Sequence, residues 1–285
     1  MIIWLASYPK SGNTWLRSFL YTLLYSKNQN PDLNNMHILG QYPLKKHFKS
    51  YTDNFNDIHN ISKYWEQSQK NINLDNKVKF LKTHHVLCTV NGNKFTDLNN
   101  TLGVIHIVRD PRNLITSIKN HYSMENYNEA LKFIFDYSHC IDVENISHTN
   151  LEKKEILNTW VSSWDTHFNS WKSFPKNYLL IKYEDLIDDP EKWFFYICDY
   201  LTKILNIKFD KEIIKKIINK NEFQNLQNQE KSNGFKESSV NFANNKKNIF
   251  FKLGPKNKWQ ELLNREIKEQ IENKFKKEMI ELNYL

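Results

Sequence analysis

Cysteine is scarce in this chain of 285 residues: there are three, Cys88, Cys140 and Cys198. They are odd in number and far apart, and no two have the spacing of a metal-ligand pair. That excludes a disulfide scaffold and suggests no zinc site, so they read as buried reduced thiols of a cytoplasmic protein. No apolar run approaches the ~18 residues that a membrane span needs. The amino terminus passes straight into an apolar stretch, which leaves no room for a secretory leader. Basic residues interleaved with exposed aromatics form no stripe, and nucleic acid is set aside as a partner. Rings, by contrast, are plentiful, with 8 Trp, 14 Tyr and 18 Phe, so the chain is a globular one despite its many Asn and Lys. Lys and Arg outnumber Asp and Glu by 40 to 32, a formal charge of +8. By itself this excess suits any anionic ligand or surface.

The chain opens on Ile2-Ile3-Trp4-Leu5-Ala6, an unbroken apolar run of the kind found in a strand buried on both faces. Beyond it, Trp15, Leu16, Phe19, Leu20, Leu23 and Leu24 recur at helical spacing, so a helix begins near Asn13 or Thr14. Between them lies Tyr8-Pro9-Lys10-Ser11-Gly12. A strand, a tight turn and a helix direct turn N–H groups and the positive end of the helix dipole at one spot, which suits a phosphate. Gly12 permits close approach of the backbone, and Lys10 adds a mobile cation. An ordinary turn with a solvated lysine is the plainer alternative.

Residues 27 to 60 are polar and irregular, and a loop of that length in a compact domain is often functional. Ser62 is placed to cap a short helix through Gln69, and Val78 to His84 reads as a second strand running into a site. Val104 to Val108 is a third strand, after which Asp110 as cap and Pro111 as first residue open a helix to about Tyr122. Ile156, Leu157, Trp160, Val161, Trp164, Phe168 and Trp171 follow one long helical stripe. Tyr178 to Ile181 is a further buried strand, and Pro190 opens another helix. Residues 206 to 229 read as mostly helical, 230 to 254 as a loop with little to bury, and Trp259 to Phe275 as one closing helix. Alternating strands and helices predict an α/β fold, a P-loop-like parallel sheet flanked by helices on both faces, with ligands at the strands' carboxyl ends. No repeat or linker divides residues 1–285, so a single domain is expected.

A Walker A loop, G-x-x-x-x-G-K-[ST], would place Ser7 at its first glycine and Asn13 at its lysine, so two defining residues are missing. The loop actually present, with Lys10 two residues ahead of Gly12 and Thr14-Trp15 just after it, resembles the 5′-phosphosulfate loop of the soluble sulfotransferases. That family takes its sulfuryl group from PAPS, 3′-phosphoadenosine 5′-phosphosulfate, and the resemblance implies no metal. Arg109, with Ser117 eight residues on, is similar to the family's 3′-phosphate site. Lys82-Thr83-His84 resembles the segment that carries the general base. His85 would face the other way on a strand, and the two exchange roles if the strand ends one residue early. Tyr183 matches a family tyrosine near the adenine, and Trp15 with Phe223 the rings that sandwich it. Phe251 to Trp259 resembles the family's R-K-G-x-x-G-D-W loop with Gly254 kept, but Lys252 stands for Arg, Leu253 for Lys and Asn257 for the second Gly.

The resemblance therefore implies Lys10, His84 and Ser117 as the catalytic set. It implies donor binding by Lys10, Ser11, Gly12, Asn13, Thr14, Trp15, Arg109, Ser117, Tyr183, Phe223, Lys252 and Gly254. A nucleotide or small-molecule kinase is the rival enzyme, though Asn13 stands where its lysine belongs. A non-catalytic nucleotide-binding protein is the other rival, and it would have no use for His84. The acceptor, whether a small molecule or a carbohydrate, and the oligomeric state are not legible.

Overall fold

A computed structural model describes residues 1–141, 155, 157–241 and 246–285. In chain order come β1 (Ile2–Ser7), α1 (Asn13–Leu24), β2 (Gly40–Gln41), α2 (Ile58–Ser62), α3 (Trp65–Ile72), β3 (Lys79–Thr83), β4 (Thr101–Val108), α4 (Pro111–His121) and β5 (Tyr178–Lys182). The five strands form one sheet in the order β2-β3-β1-β4-β5. β3 runs parallel to both its neighbours, pairing Ile2 with Lys79 through Ala6 with Thr83 on one side, and Gly40 with Leu81 on the other. The α/β class expected from the alternation is the one found. The chain forms two compact units, the first Met1–Tyr8, Leu39–His106 and Asp136–Leu180, the second Pro9–Ile38, Ile107–Phe135 and Ile181–Leu285.

In the first unit every residue of β1 is buried, as its uninterrupted apolar run demands. Trp4 lies at the centre of the core, with ring centroids 5.5 Å from Tyr42, 5.6 Å from Phe95 and 6.1 Å from Trp171. Its indole N–H donates to Thr101 Oγ1 at 2.9 Å, so the one polar atom of a fully buried ring is satisfied. Rings of this size each remove ~150–250 Å² from water, which at ~25 cal/mol/Å² is about 4–6 kcal/mol apiece before ordering entropy is counted.

In the second unit α1 packs on the helix Pro190–Leu205, where Phe19 stacks on Phe194 at 4.1 Å and Trp15 meets the same ring edge-on at 5.5 Å. Asn221, fully buried, holds α1 along its length. Its carbonyl accepts from Trp15 Nε1 at 2.7 Å, its Oδ1 accepts from Ser18 Oγ at 2.5 Å, and its Nδ2 donates to Thr22 Oγ1 at 3.3 Å. Asp110 caps α4 by accepting from Arg112 N, with Pro111 as first residue, as expected. Arg112 then pairs with Asp110 and Glu272, both at 2.6 Å, and lies over Trp259 at 4.2 Å.

Several sequence expectations need correction. The stripe from Ile156 to Trp171 is not one helix: Thr159–Trp160 pairs antiparallel with Cys140–Ile141, and the helix runs only from Trp164 to Lys172 (Ile156 lies outside the described residues). The break is at Ser162, whose φ of 66° is left-handed and cannot continue a right-handed helix. Ser62 ends α2 rather than opening a helix, and α3 begins at Trp65. The closing helix is three pieces, Trp259–Leu262, Arg265–Lys274 and Lys276–Glu281, because Leu263 is extended and Asn264 caps afresh through Ile267 N. Cys140 is exposed and Cys88 only partly covered, so of the three thiols Cys198 alone is buried.

The segment 230 to 254 is also more ordered than its composition suggested. Helix Phe223–Asn233 extends into it, Val240–Asn241 pairs with Lys246–Lys247, and Phe235 and Phe251 are buried. Buried Glu230 accepts from Ser238 Oγ at 2.8 Å, Phe250 N at 2.7 Å and Phe251 N at 2.9 Å.

Candidate active site

The loop ahead of α1 takes its shape from two left-handed residues, Lys10 at φ 68° and Gly12 at φ 101°. Gly12 has a second constraint, since a Cβ there would lie 2.4 Å from the Tyr183 ring. Thus glycine is required both by the backbone and by the ring packed on it. No side chain caps α1, at whose first turn the helix dipole is positive. Ser11 Oγ is buried with no hydrogen-bond partner.

Arg109 follows the last residue of β4 and is buried. Its Nη1 donates to Lys10 O and to Ser117 Oγ, each at 2.9 Å, and its guanidinium lies 4.3 Å from the centre of the Tyr183 ring. Arg109 Nε is buried without a partner. The spacing of eight residues works because Ser117 sits in the second turn of α4, whose side chains lean back toward the helix start. Burial pushes the Tyr183 phenol upward, and Arg109 partly offsets that. Glu184 is held above the usual carboxylate range by burial, with Arg109 opposing, while it accepts from Asp110 N at 3.2 Å and Tyr284 OH at 2.9 Å.

The carboxyl-terminal loop closes on the same helix. Asn257, buried, donates from Nδ2 to Ser117 Oγ at 3.0 Å and to Asn113 O at 2.8 Å. It stands where the resembled loop has a glycine, and sequence reasoning treated it only as a departure. No local sequence signal marks it, because its burial and its bond to Ser117 arise only in the fold. Lys252 Nζ donates to Asn120 Oδ1 at 3.3 Å, one helical turn beyond Ser117. Gly254 has φ 53°, and a Cβ there would be 2.4 Å from the Phe223 ring. Phe250, not anticipated, lies 3.4 Å under the ammonium of Lys10. The second unit thus brings together Lys10, Ser11, Gly12, Arg109, Ser117, Tyr183 and Asn257, with Trp15 anchored to Asn221 two residues before Phe223.

In the first unit β3 ends at Thr83, so His84 is the first residue past the strand, half-buried. Its Nδ1 lies 2.7 Å from Ser7 O and 3.3 Å from Ser7 Oγ. A carbonyl only accepts, so Nδ1 carries the proton and Nε2 keeps the lone pair of a base. His85 is wholly buried, stacked on Phe95 at 4.5 Å with its Nδ1 donating to Val86 O at 2.7 Å, and burial lowers its pKa to about 4. β3 thus ends one residue short of the strand expected from the sequence, yet the two histidines do not exchange places: His84 has the half-buried ring and His85 is a core residue.

A family model described as a sulfotransferase domain matches residues 2–283. The chain belongs to the sulfotransferase family. Among curated proteins none matches it. Among solved structures, mouse sulfotransferase SULT7A1 complexed with PAP is similar at TM-score 0.57 and 19% identity, over 97% of this chain and 83% of that one. A retinol dehydratase in complex with retinol and PAP is similar at TM-score 0.60 and 16% identity, over 98% and 81%. The same enzyme with androsterone and PAP gives 0.58 and 17%, over 98% and 80%. At these identities the likeness is one of fold, and it agrees with the parallel sheet described above.

Proposed function

We propose that the protein transfers a sulfuryl group from PAPS to a small-molecule acceptor, with residues 1–285 acting as one domain in the cytoplasm. The observation that carries the reading is Arg109, which joins the carbonyl of Lys10 to the hydroxyl of Ser117, to which Asn257 also donates. A guanidinium fork, a hydroxyl and an amide in one place suit the 3′-phosphate of the donor. Ser11 Oγ and Arg109 Nε, both buried without protein partners, fit a ligand rich in anionic oxygens. Trp15, Phe223 and Tyr183 would hold the adenine, Lys252 and Gly254 the 3′ side, and Gly12, Asn13 and Thr14 the phosphosulfate. The neighbours that bind retinol and androsterone support a small molecule as acceptor.

In the reaction so assigned, the acceptor oxygen forms a bond to sulfur while the bond from sulfur to the bridging phosphate oxygen breaks, leaving adenosine 3′,5′-bisphosphate. His84 Nε2 takes the acceptor's proton, its orientation fixed by the Nδ1–H bond to Ser7 O. Lys10 stabilises charge as it grows on the leaving oxygen, and Ser117 positions the donor. The test is thermal. Adenosine 3′,5′-bisphosphate should raise Tm without Mg²⁺ and more than ATP does. Stabilisation by Mg²⁺ and ATP alone would favour a kinase, and label from PAPS appearing in no pooled metabolite would count against transfer.

A further inference from the structure

Lys10 is held at both ends. Its carbonyl accepts from Arg109 Nη1 at 2.9 Å, and its ammonium stands 3.4 Å from the centre of the Phe250 ring. Groups of the second unit fix that ring in turn. The main-chain N–H of Phe250 donates to buried Glu230 at 2.7 Å, and the rings of Phe235, Phe251 and His121 surround it, with centroids 5.0, 5.3 and 5.8 Å away. Phe250 is half-buried, so water is kept from part of the contact, which strengthens the attraction of a cation for the negative face of a ring.

The chemistry of this partner matters as much as its position. A carboxylate would also hold a lysine, but it would cancel the charge and repel an incoming anion. The two acids between residues 230 and 258 are engaged otherwise: Glu230 accepts from Ser238 Oγ and from the N–H groups of Phe250 and Phe251, and Glu237 pairs with Arg17 at 2.8 Å. A ring covers one side of an ammonium that has three N–H donors, and it leaves the charge in force. We infer that Phe250 is the positioning residue for Lys10, a neutral seat that orients the ammonium toward the phosphosulfate and keeps it cationic as the leaving oxygen gains charge. Resting on the sulfuryl-transfer reading, Phe250 acts through Lys10 rather than on donor or acceptor. Without the seat, the flexible four-carbon stem spreads the ammonium over many rotamers and less of it meets the leaving oxygen.

Graded fluorination of the ring tests this on the full-length protein, because fluorine drains the negative face with little change of shape. The rate is that of adenosine 3′,5′-bisphosphate release from PAPS with water as acceptor, slow enough that the chemical step limits it. With 4-fluoro-, 3,5-difluoro- and 3,4,5-trifluorophenylalanine in place of Phe250, log kcat should fall stepwise to about tenfold below the unaltered protein, while KM for PAPS changes less than about twofold. Phe250→Tyr keeps a ring face and should stay within about twofold, whereas Phe250→Leu should match the trifluoro protein. A second readout needs no turnover. In protein labelled with ¹³C at lysine Cε, the signal absent from Lys10→Arg is that of Lys10. Its protons lie over a ring and should resonate upfield of the other lysines', both in the free protein and with adenosine 3′,5′-bisphosphate bound, and Phe250→Leu should remove the displacement. The thermal shift from the bisphosphate checks that Phe250→Leu is folded, and the nearly isosteric fluorinated proteins carry the test if it is not. A kcat that is flat across the series would overturn the inference and leave sulfuryl transfer standing. So would an upfield signal lost on bisphosphate binding, since Phe250 would then be a plug that the donor displaces. An upfield signal kept in the complex, with no bisphosphate released from PAPS, would uphold the seat and remove the sulfotransferase reading.

Discussion

Replacing Gly12 by alanine perturbs two things that can be separated. The backbone at Gly12, φ 101° and ψ 6°, is left-handed, which costs an L-residue about 1–2 kcal/mol. The new methyl would lie 2.4 Å from Tyr183 Cδ2 and 2.9 Å from Cε2. Tyr183 has little room to yield, because it is buried with Arg109 on its face and Trp15 at its edge, 6.2 Å between centroids. Overpacking of that kind adds about 1–3 kcal/mol. Together the two terms make about 2–5 kcal/mol, a fall in Tm of roughly 4–10 °C for a chain of this size. Since Tyr183 also positions Arg109, affinity for adenosine 3′,5′-bisphosphate should drop at least tenfold by calorimetric titration. Combining Gly12→Ala with Tyr183→Leu distinguishes the terms. The steric part should disappear, so the double variant loses less than the sum of the singles, and the backbone part should persist. A Gly12→Ala protein with unchanged Tm and unchanged bisphosphate affinity would refute the geometry from which both numbers come.

His84→Ala should lose ~10²–10⁴ in kcat while keeping bisphosphate affinity, whereas His85→Ala should lower Tm through a core cavity; the reverse assignment of the dead variant would sink the register argument. Asn257→Ala should weaken adenosine 3′,5′-bisphosphate about threefold to tenfold and leave adenosine 5′-monophosphate nearly unaffected, because what it loses is the bond to Ser117. Equal losses for the two nucleotides would remove Asn257 from the 3′ side. Burial lowers the pKa of His85 to about 4 and of His106 to about 3. In the unfolded chain both take protons from about pH 6.5 downward, so the unfolded state binds more protons below that pH and stability falls as pH drops from about 6.5 toward 4. By pH 5 each should have withdrawn about 2 kcal/mol, and equal Tm values at pH 7 and pH 5 would contradict this.

What could be read in advance depended on whether a residue's role is set by its chain neighbours or by distant ones. The strand, loop and helix from Ile2 to Leu24 were legible because apolar runs, a glycine and a switch of period are local signals. So was the start of α4, where Asp110 and Pro111 act within one turn. The stripe through Trp164 and Trp171 misled, because a short strand, a left-handed serine and a helix can bury the same spacing of side chains as one longer helix. Asn257 was invisible as a site residue for a related reason: its worth lies in Ser117, 140 residues away along the chain. The glycines were recognised as loop residues, but the rings of Tyr183 and Phe223 that forbid a side chain there come from elsewhere in the sequence.

Glu230 also bears on how the carboxyl-terminal loop can diversify. Because one carboxylate holds the main-chain N–H groups of Phe250 and Phe251, the path of that segment is set in part from outside it, and its exposed side chains have little say in it. Exposed positions such as Ile249 and Lys252 can therefore be exchanged while the backbone route is inherited, and a segment grafted here from a relative should adopt this route provided the glutamate is kept. The reverse graft, this segment moved into a host without an equivalent carboxylate, should lose its course even with every residue identical. Variation of the loop and constancy of its shape are thus assigned to different parts of the chain.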